Sequence, residues 1–118
     1  MITALVLHRE PNVFLYGCVN SLLSQTVQPD KIIVINSTGK AINKDLPKSD
    51  KVSVLNREPG PSPLDDINLV SGNLDTDLVY VVNSNTLPYK NKLEKLADLF
   101  NRYPNVGMAY ADFDIFNL

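Results

Sequence analysis

Three features of the sequence predict an α/β domain of three layers, α/β/α, around a mainly parallel central sheet. Short apolar runs rich in β-branched residues alternate with stretches of helical periodicity. Several of the runs lack polar alternation, as strands covered on both faces do. Pro, Gly, Asn and Asp gather at the borders between the two kinds of segment.

Ile2 to Leu7 (ITALVL) reads as a first buried strand. Pro11 and Asn12 open a helix, with Asn12 as its N-cap. Leu15, Cys18, Val19 and Leu22 then fall at i, i+3, i+4, i+7, one apolar face. Gln28-Pro29-Asp30 breaks the chain before a second strand, Lys31 to Ile35 (KIIVI). The polar stretch Asn36 to Asp50, with Gly39 and Pro47, predicts a surface loop. Lys51 to Leu55 (KVSVL) alternates and predicts a strand nearer the sheet edge.

Pro59-Gly60-Pro61 marks a tight connection. Ser62, Pro63 and Asp65 then start a helix: a cap hydroxyl, a proline in the first turn and an acid at the positive end of the dipole. Ile67, Val70, Ser71 and Leu74 share its inner face. Leu78 to Val82 (LVYVV), the most hydrophobic run, is expected at the sheet centre. After Asn83 to Pro88 comes a third helix with Leu93, Leu96, Ala97 and Phe100 on one side. Its Glu94 and Asp98 are a like-charge i, i+4 pair, so packing must hold it. Pro104-Asn105 ends that helix, and Val106 to Ala111 predicts a last strand.

Composition narrows the function classes. The 118 residues carry 11 Lys+Arg against 13 Asp+Glu, a net charge of −2, with 44% hydrophobic and 20% charged residues. That is one domain, 1–118, of ordinary globular composition. The balance lacks the basic stripe of a nucleic-acid binder, and no polybasic patch marks a membrane surface. The single cysteine, Cys18, forms no internal disulfide, which fits a reducing compartment or an incidental thiol. The first apolar run is too short for a signal peptide and no run reaches membrane-spanning length, so a cytoplasmic protein is expected.

Parallel sheets of this kind bind ligands at the carboxyl ends of their strands. Those ends are Leu7-His8-Arg9, Asn36-Ser37-Thr38, Asn56-Arg57 and Asn83-Ser84-Asn85. Other motifs carry less. Gly39-Lys40 lacks the glycine frame of a phosphate loop. Ser62 has no nucleophile-elbow context, and no Cys/His spacing suits zinc. Asp112-Phe113-Asp114 would set two carboxylates on one face of a β-like stretch, although surface acids need no such role. An acidic cluster after the first strand and a G-x-G-x-x-G turn are both missing, which disfavours response-regulator and dinucleotide-binding readings.

The ordered set of segments resembles the start of family 2 glycosyltransferases of the GT-A fold. Ser21-Leu22-Leu23-Ser24-Gln25-Thr26 matches that family's S-L-L-x-Q-T helix end. Lys31 to Ile35 stands where the family has its E-I-I-V-V strand. Gly60-Pro61-Ser62 and Asn68 fall on its G-x-x-x-A-x-N segment, Leu93 to Leu96 resembles the helix after its metal motif, and Val106 to Asp112 its V-G-x-x-Y-x-D strand. The resemblance implies binding of a nucleotide-diphosphate sugar by His8, Arg9, Asn36, Ser37, Arg57, Asn68, Asn83 and Asn85. A cation such as Arg9 or Arg57 beside a diphosphate is physically sensible.

Two sites depart from the family pattern. Its second strand ends in aspartates, where this chain has Asn36 and Ser37. Its central strand ends in D-x-D, whose carboxylates hold Mg²⁺ or Mn²⁺ against the diphosphate; here stand Asn83-Ser84-Asn85. Amide oxygens bring no charge, so Asn83 and Asn85 are expected to hold Mg or Mn only weakly. The resemblance spans about half of the family's usual domain, and the family's catalytic carboxylate and acceptor site belong to the other half. Two functions are therefore expected in competition. One is a nucleotide-sugar-binding half-domain that transfers a glycosyl group to an acceptor hydroxyl once completed by a second half. The other is a catalytically inactive GT-A-like module for binding or homo-oligomer assembly.

Overall fold

A computed structural model describes residues 1–60, 62–71, 74 and 76–103. Its elements are β1 (Ile2–His8), α1 (Leu15–Leu23), β2 (Lys31–Asn36), a 3₁₀ turn (Asn43–Asp45), β3 (Val52–Asn56), α2 (Pro63–Ser71), β4 (Leu78–Asn83) and α3 (Lys92–Arg102). The four strands form one all-parallel sheet in the order β3-β2-β1-β4. The expected strand Val106 to Ala111 and the Asp112/Asp114 pair lie outside the described residues.

Helices cover both faces of the sheet. Ala4 and Val6 of β1, Ile32 and Val34 of β2, and Val82 of β4 pack with Leu15, Cys18, Val19 and Leu22 of α1. The alternate residues Leu5, Leu7 and Ile35 pack with Val70 of α2, flanked by Ile67 and Leu74. Period-two alternation in the strands thus feeds two separate cores. Each fully buried Leu, Ile or Val contributes about 1.5–3 kcal/mol by leaving water. The four residues whose spacing predicted the α1 face are its four buried ones.

Two expectations are corrected. The strand predicted at the centre, β4, closes the strand order among the described residues, and Val79 and Val81 on its outer face are 43% and 39% exposed. The interior places belong to β1 and β2, whose side chains are largely buried on both faces, whereas in β4 only Val82 is buried. Second, α1 starts at Leu15 rather than next to Asn12, and its N-cap residue Phe14 makes no side-chain capping bond. The Asn12 Oδ1 instead accepts the Phe14 N–H at 2.8 Å, an Asx turn leading into the helix.

Local chemistry explains the other boundaries. At the start of α2 the Asp65 carboxylate accepts the Ser62 N–H at 3.0 Å, half of a capping box. A Cβ on Gly60 would lie 2.7 Å from that carboxylate, so only glycine lets the connection pass. The loop after β2 is less superficial than its polarity implies: Ile42 is buried in the α1-side core, with Leu46 packed against it. Gly39, at φ +76°, turns this loop back toward the sheet.

Gln25, the glutamine of the S-L-L-S-Q-T run, is buried and clamps two helices together. Its Nε2 donates to Ser21 O at 3.2 Å and Tyr89 O at 2.7 Å, and its Oε1 accepts the Leu93 N–H at 3.0 Å. Leu93 lies in the first turn of α3, where backbone N–H groups lack helical partners. This part of the motif is therefore architectural.

Candidate functional site

Parallel register brings the strand ends into two rows, one on each face of the sheet. His8 pairs with Asn36 and Asn36 with Asn56, while Leu7 pairs with Asn83, which sets Ser84 beside His8. Ser84, His8, Asn36 and Asn56 thus form a row on the α1 side. One residue further, Ser37 N donates to His8 O at 2.9 Å and Arg57 N to Asn36 O at 3.0 Å, so the ladder continues. Arg9, Ser37 and Arg57 form the second row, on the α2 side.

The α2-side row is closed by an acid. Asp66 of α2 is fully buried; its Oδ2 accepts Arg9 Nη1 at 3.0 Å and its Oδ1 lies 3.4 Å from Arg57 Nε. Arg9 Nη2 also donates to Gly60 O at 2.6 Å, and Arg57 donates to Glu58 O and Asp65 O. The structure brings together the two cations that the resemblance aimed at a diphosphate, but around an internal carboxylate. A buried carboxylate needs such pairing, since desolvation alone would cost several kcal/mol. Ser37 is buried in the same row, its Oγ without a hydrogen-bond partner among the described residues.

The α1-side row is neutral, and most of it is buried. Asn36 is buried, and its Nδ2 donates to Lys40 O at 2.7 Å and Asn56 Oδ1 at 2.8 Å. Its Oδ1 accepts the Thr38 N–H at 3.2 Å and hydroxyl at 2.7 Å. An aspartate here would turn a carboxylate oxygen toward the Lys40 carbonyl, so the position is built around an amide. The ring nitrogen Nδ1 of His8 lies 2.7 Å from Ser84 Oγ, and Asn12 Nδ2 donates to the same oxygen at 2.8 Å. Burial lowers the His8 pKa from its ordinary value, with the Asp45 carboxylate pulling weakly the other way.

A cleft of ≈ 720 Å³ opens beside this row, between the start of α1 and the loop after β2. His8, Asn12, Tyr16, Lys40, Lys44 and Asp45 are among its lining residues. Other hollows run along the outer side of β3 (≈ 620 Å³), with Asn56 in the lining, and under α2 near Thr3 and Lys31 (≈ 440 Å³).

Asn83 and Asn85 are exposed, and their side chains make no hydrogen bond among the described residues. Two neutral amides do not fit Mg²⁺ or Mn²⁺, which are held through carboxylates and phosphates. Among the described residues no group of three His, Cys, Asp or Glu could hold a metal ion. Asn68 lies exposed on α2, apart from the cleft lining. Cys18 is buried, and desolvation pushes its thiol up to about 12, which leaves no thiolate at neutral pH.

Sequence reasoning did not single out Ser84, Asp66, Lys44 or Asp45 as site residues, and read Asn12 only as a cap. A signal for Ser84 was present: it continues the even-numbered side of β4 after Tyr80 and Val82. Asp66 carried none, because its partners are 57 residues away at Arg9 and nine away at Arg57. No helix among the described residues is long and apolar enough to cross a membrane. No protein-family model matches the chain, and no curated protein matches it in sequence.

Proposed function

We propose that this domain binds a nucleotide-diphosphate sugar at the carboxyl edge of its sheet, as a GT-A-like binding module. The single observation that carries the reading is the cleft on the α1 side of that edge, with Lys40 and Lys44 in its lining beside His8. It lies at the carboxyl end of the sheet, between β1 with the start of α1 and the loop after β2. In open parallel sheets, ligands settle outside the carboxyl ends of the strands. The order of segments resembling family 2 glycosyltransferases points to the same ligand class.

Glycosyl transfer to an acceptor hydroxyl, inverting at the anomeric carbon, would need a carboxylate base and an acceptor site supplied by further protein. This chain's own residues contribute binding and orientation: lysines for the diphosphate, and polar groups of the strand ends for the nucleoside. No step is assigned to a metal, because Asn83 and Asn85 do not suit one. Isothermal titration with uridine and guanosine diphosphate sugars, with and without Mn²⁺, tests the reading. Binding heat that is insensitive to Mn²⁺ is expected; no heat at millimolar ligand refutes it.

A second reading, self-association, is favoured by Val79 and Val81, exposed on a strand that closes the described order. Light scattering at high concentration separates the two readings, since a strictly monomeric mass removes the second.

A further inference from the structure

His8 is the chain's one histidine, and it is 2% exposed yet lines the cleft. The hydrogen bonds around it determine which ring nitrogen carries the proton. Asn12 cannot reverse its amide: Oδ1 is taken by the Phe14 N–H, and Nδ2 also donates to Glu10 O at 3.2 Å. Its NH₂ therefore donates to Ser84 Oγ. That oxygen keeps its own proton, and of its hydrogen-bond partners among the described residues only His8 Nδ1, at 2.7 Å, is able to accept it. Ser84 donates, Nδ1 accepts, and the imidazole proton resides on Nε2. Burial disfavours the doubly protonated ring, so the neutral form prevails at neutral pH. Among the described residues Nε2 has no partner of its own.

We infer that the Asn12–Ser84–His8 relay locks His8 as the Nε2–H tautomer, and that this N–H grips a phosphoryl oxygen of the ligand in the α1-side cleft. The charges in the same lining favour that ligand chemistry. Lys40 and Lys44 against Asp45 leave a local charge of 2 − 1 = +1, and the Asp45 carboxylate can accept from a ribose or sugar hydroxyl. His8 is a binding residue here; Asn12 and Ser84 are positioning residues that act through it. The inference rests on the proposed function for the choice of ligand, whereas the tautomer belongs to the free protein.

A single histidine makes the test clean. Long-range ¹H–¹⁵N spectra of the uniformly labelled protein at neutral pH should show a protonated Nε2 and an unprotonated Nδ1. Asn12→Asp keeps an acceptor for the Phe14 N–H but puts a carboxylate against Ser84, which then donates to Asp and must accept from His8. The ring should flip to Nδ1–H in this variant. Titration with inorganic pyrophosphate should shift the Nε2 and Hε1 signals of the wild type. Ser84→Ala, which adds no charge, should weaken pyrophosphate binding about tenfold, the worth of one hydrogen bond to a charged group. A wild-type Nδ1–H tautomer, absence of pyrophosphate binding, or binding that leaves the imidazole signals unmoved would each overturn the inference. A nucleotide sugar that binds without moving them would spare the proposed function and sink only the role of His8.

Discussion

The two faces of the sheet's carboxyl edge use the same backbone ladder and end in opposite chemistry. On the α2 side, Arg9 and Arg57 are spent on Asp66, a carboxylate with no exposed surface. On the α1 side, the strand-end row holds no charged group beyond a histidine kept neutral by burial, and the lysines stand on a loop across the cleft. A phosphate approaching the α2 side must compete with an anion already seated there. On the α1 side it meets two lysines against one carboxylate, Asp45, and no anion sits in the strand-end row. Cationic residues at strand ends are thus a poor guide to an anion site until their internal partners are known.

Removing Asp66 is the strongest way to break this contrast. Asp66→Ala leaves two arginines facing each other, each about one-quarter exposed (25% and 24%). Loss of a buried partner costs about 3 kcal/mol at this level of exposure. Urea unfolding should report that loss, and added phosphate should recover part of it in the variant while leaving the wild type unchanged. A loss below about 1 kcal/mol would mean that the α2 side is not sealed by this acid.

Asn36→Asp, which restores the acid of the resembled family, should destabilise rather than repair. The Lys40 carbonyl loses its donor and faces a carboxylate, a penalty of about 2 kcal/mol by denaturant unfolding. Equal or higher stability would show that the amide-specific bonds do not organise the loop.

The pH dependence sharpens the contrast further. The folded pKa of His8 is depressed below its ordinary value of 6.5. As pH falls, the unfolded chain takes up the proton first, so stability is complete above that value and is lost as pH drops through it toward the folded pKa. The thermal midpoint should fall between about pH 7.5 and pH 5.5 in the wild type. It should stay flatter in His8→Asn; equal slopes would assign the effect to other groups. The smallest effect is expected far from both faces: the Arg102–Asp98 pair on α3 is 3.0 Å long but largely exposed, so Arg102→Ala should change stability by about 0.5 kcal/mol or less.

Much of the scaffold was legible from local pattern. Leu15, Cys18, Val19 and Leu22 announced a buried helical face by spacing, and Ser62-Pro63 with Asp65 announced the start of α2 by cap chemistry, because both signals act within one or two turns of chain. The strand ends of the candidate site were legible for the same reason: the runs stop where their side chains become polar. The site's allegiances were not. Asp66 lies 57 residues from Arg9, Ser84 lies 76 from His8 and 72 from Asn12, and no local propensity links them.

Sequence by itself therefore determined the elements, their alternation and the polar character of the carboxyl edge, since periodicity and capping are short-range physics. Tertiary structure alone decided the strand order, the place of β4, the neutralisation of Arg9 and Arg57, and the side on which the cleft stays open. Parallel pairing joins strands across long crossovers, and only that register places a serine against a histidine on one face and an aspartate between two arginines on the other.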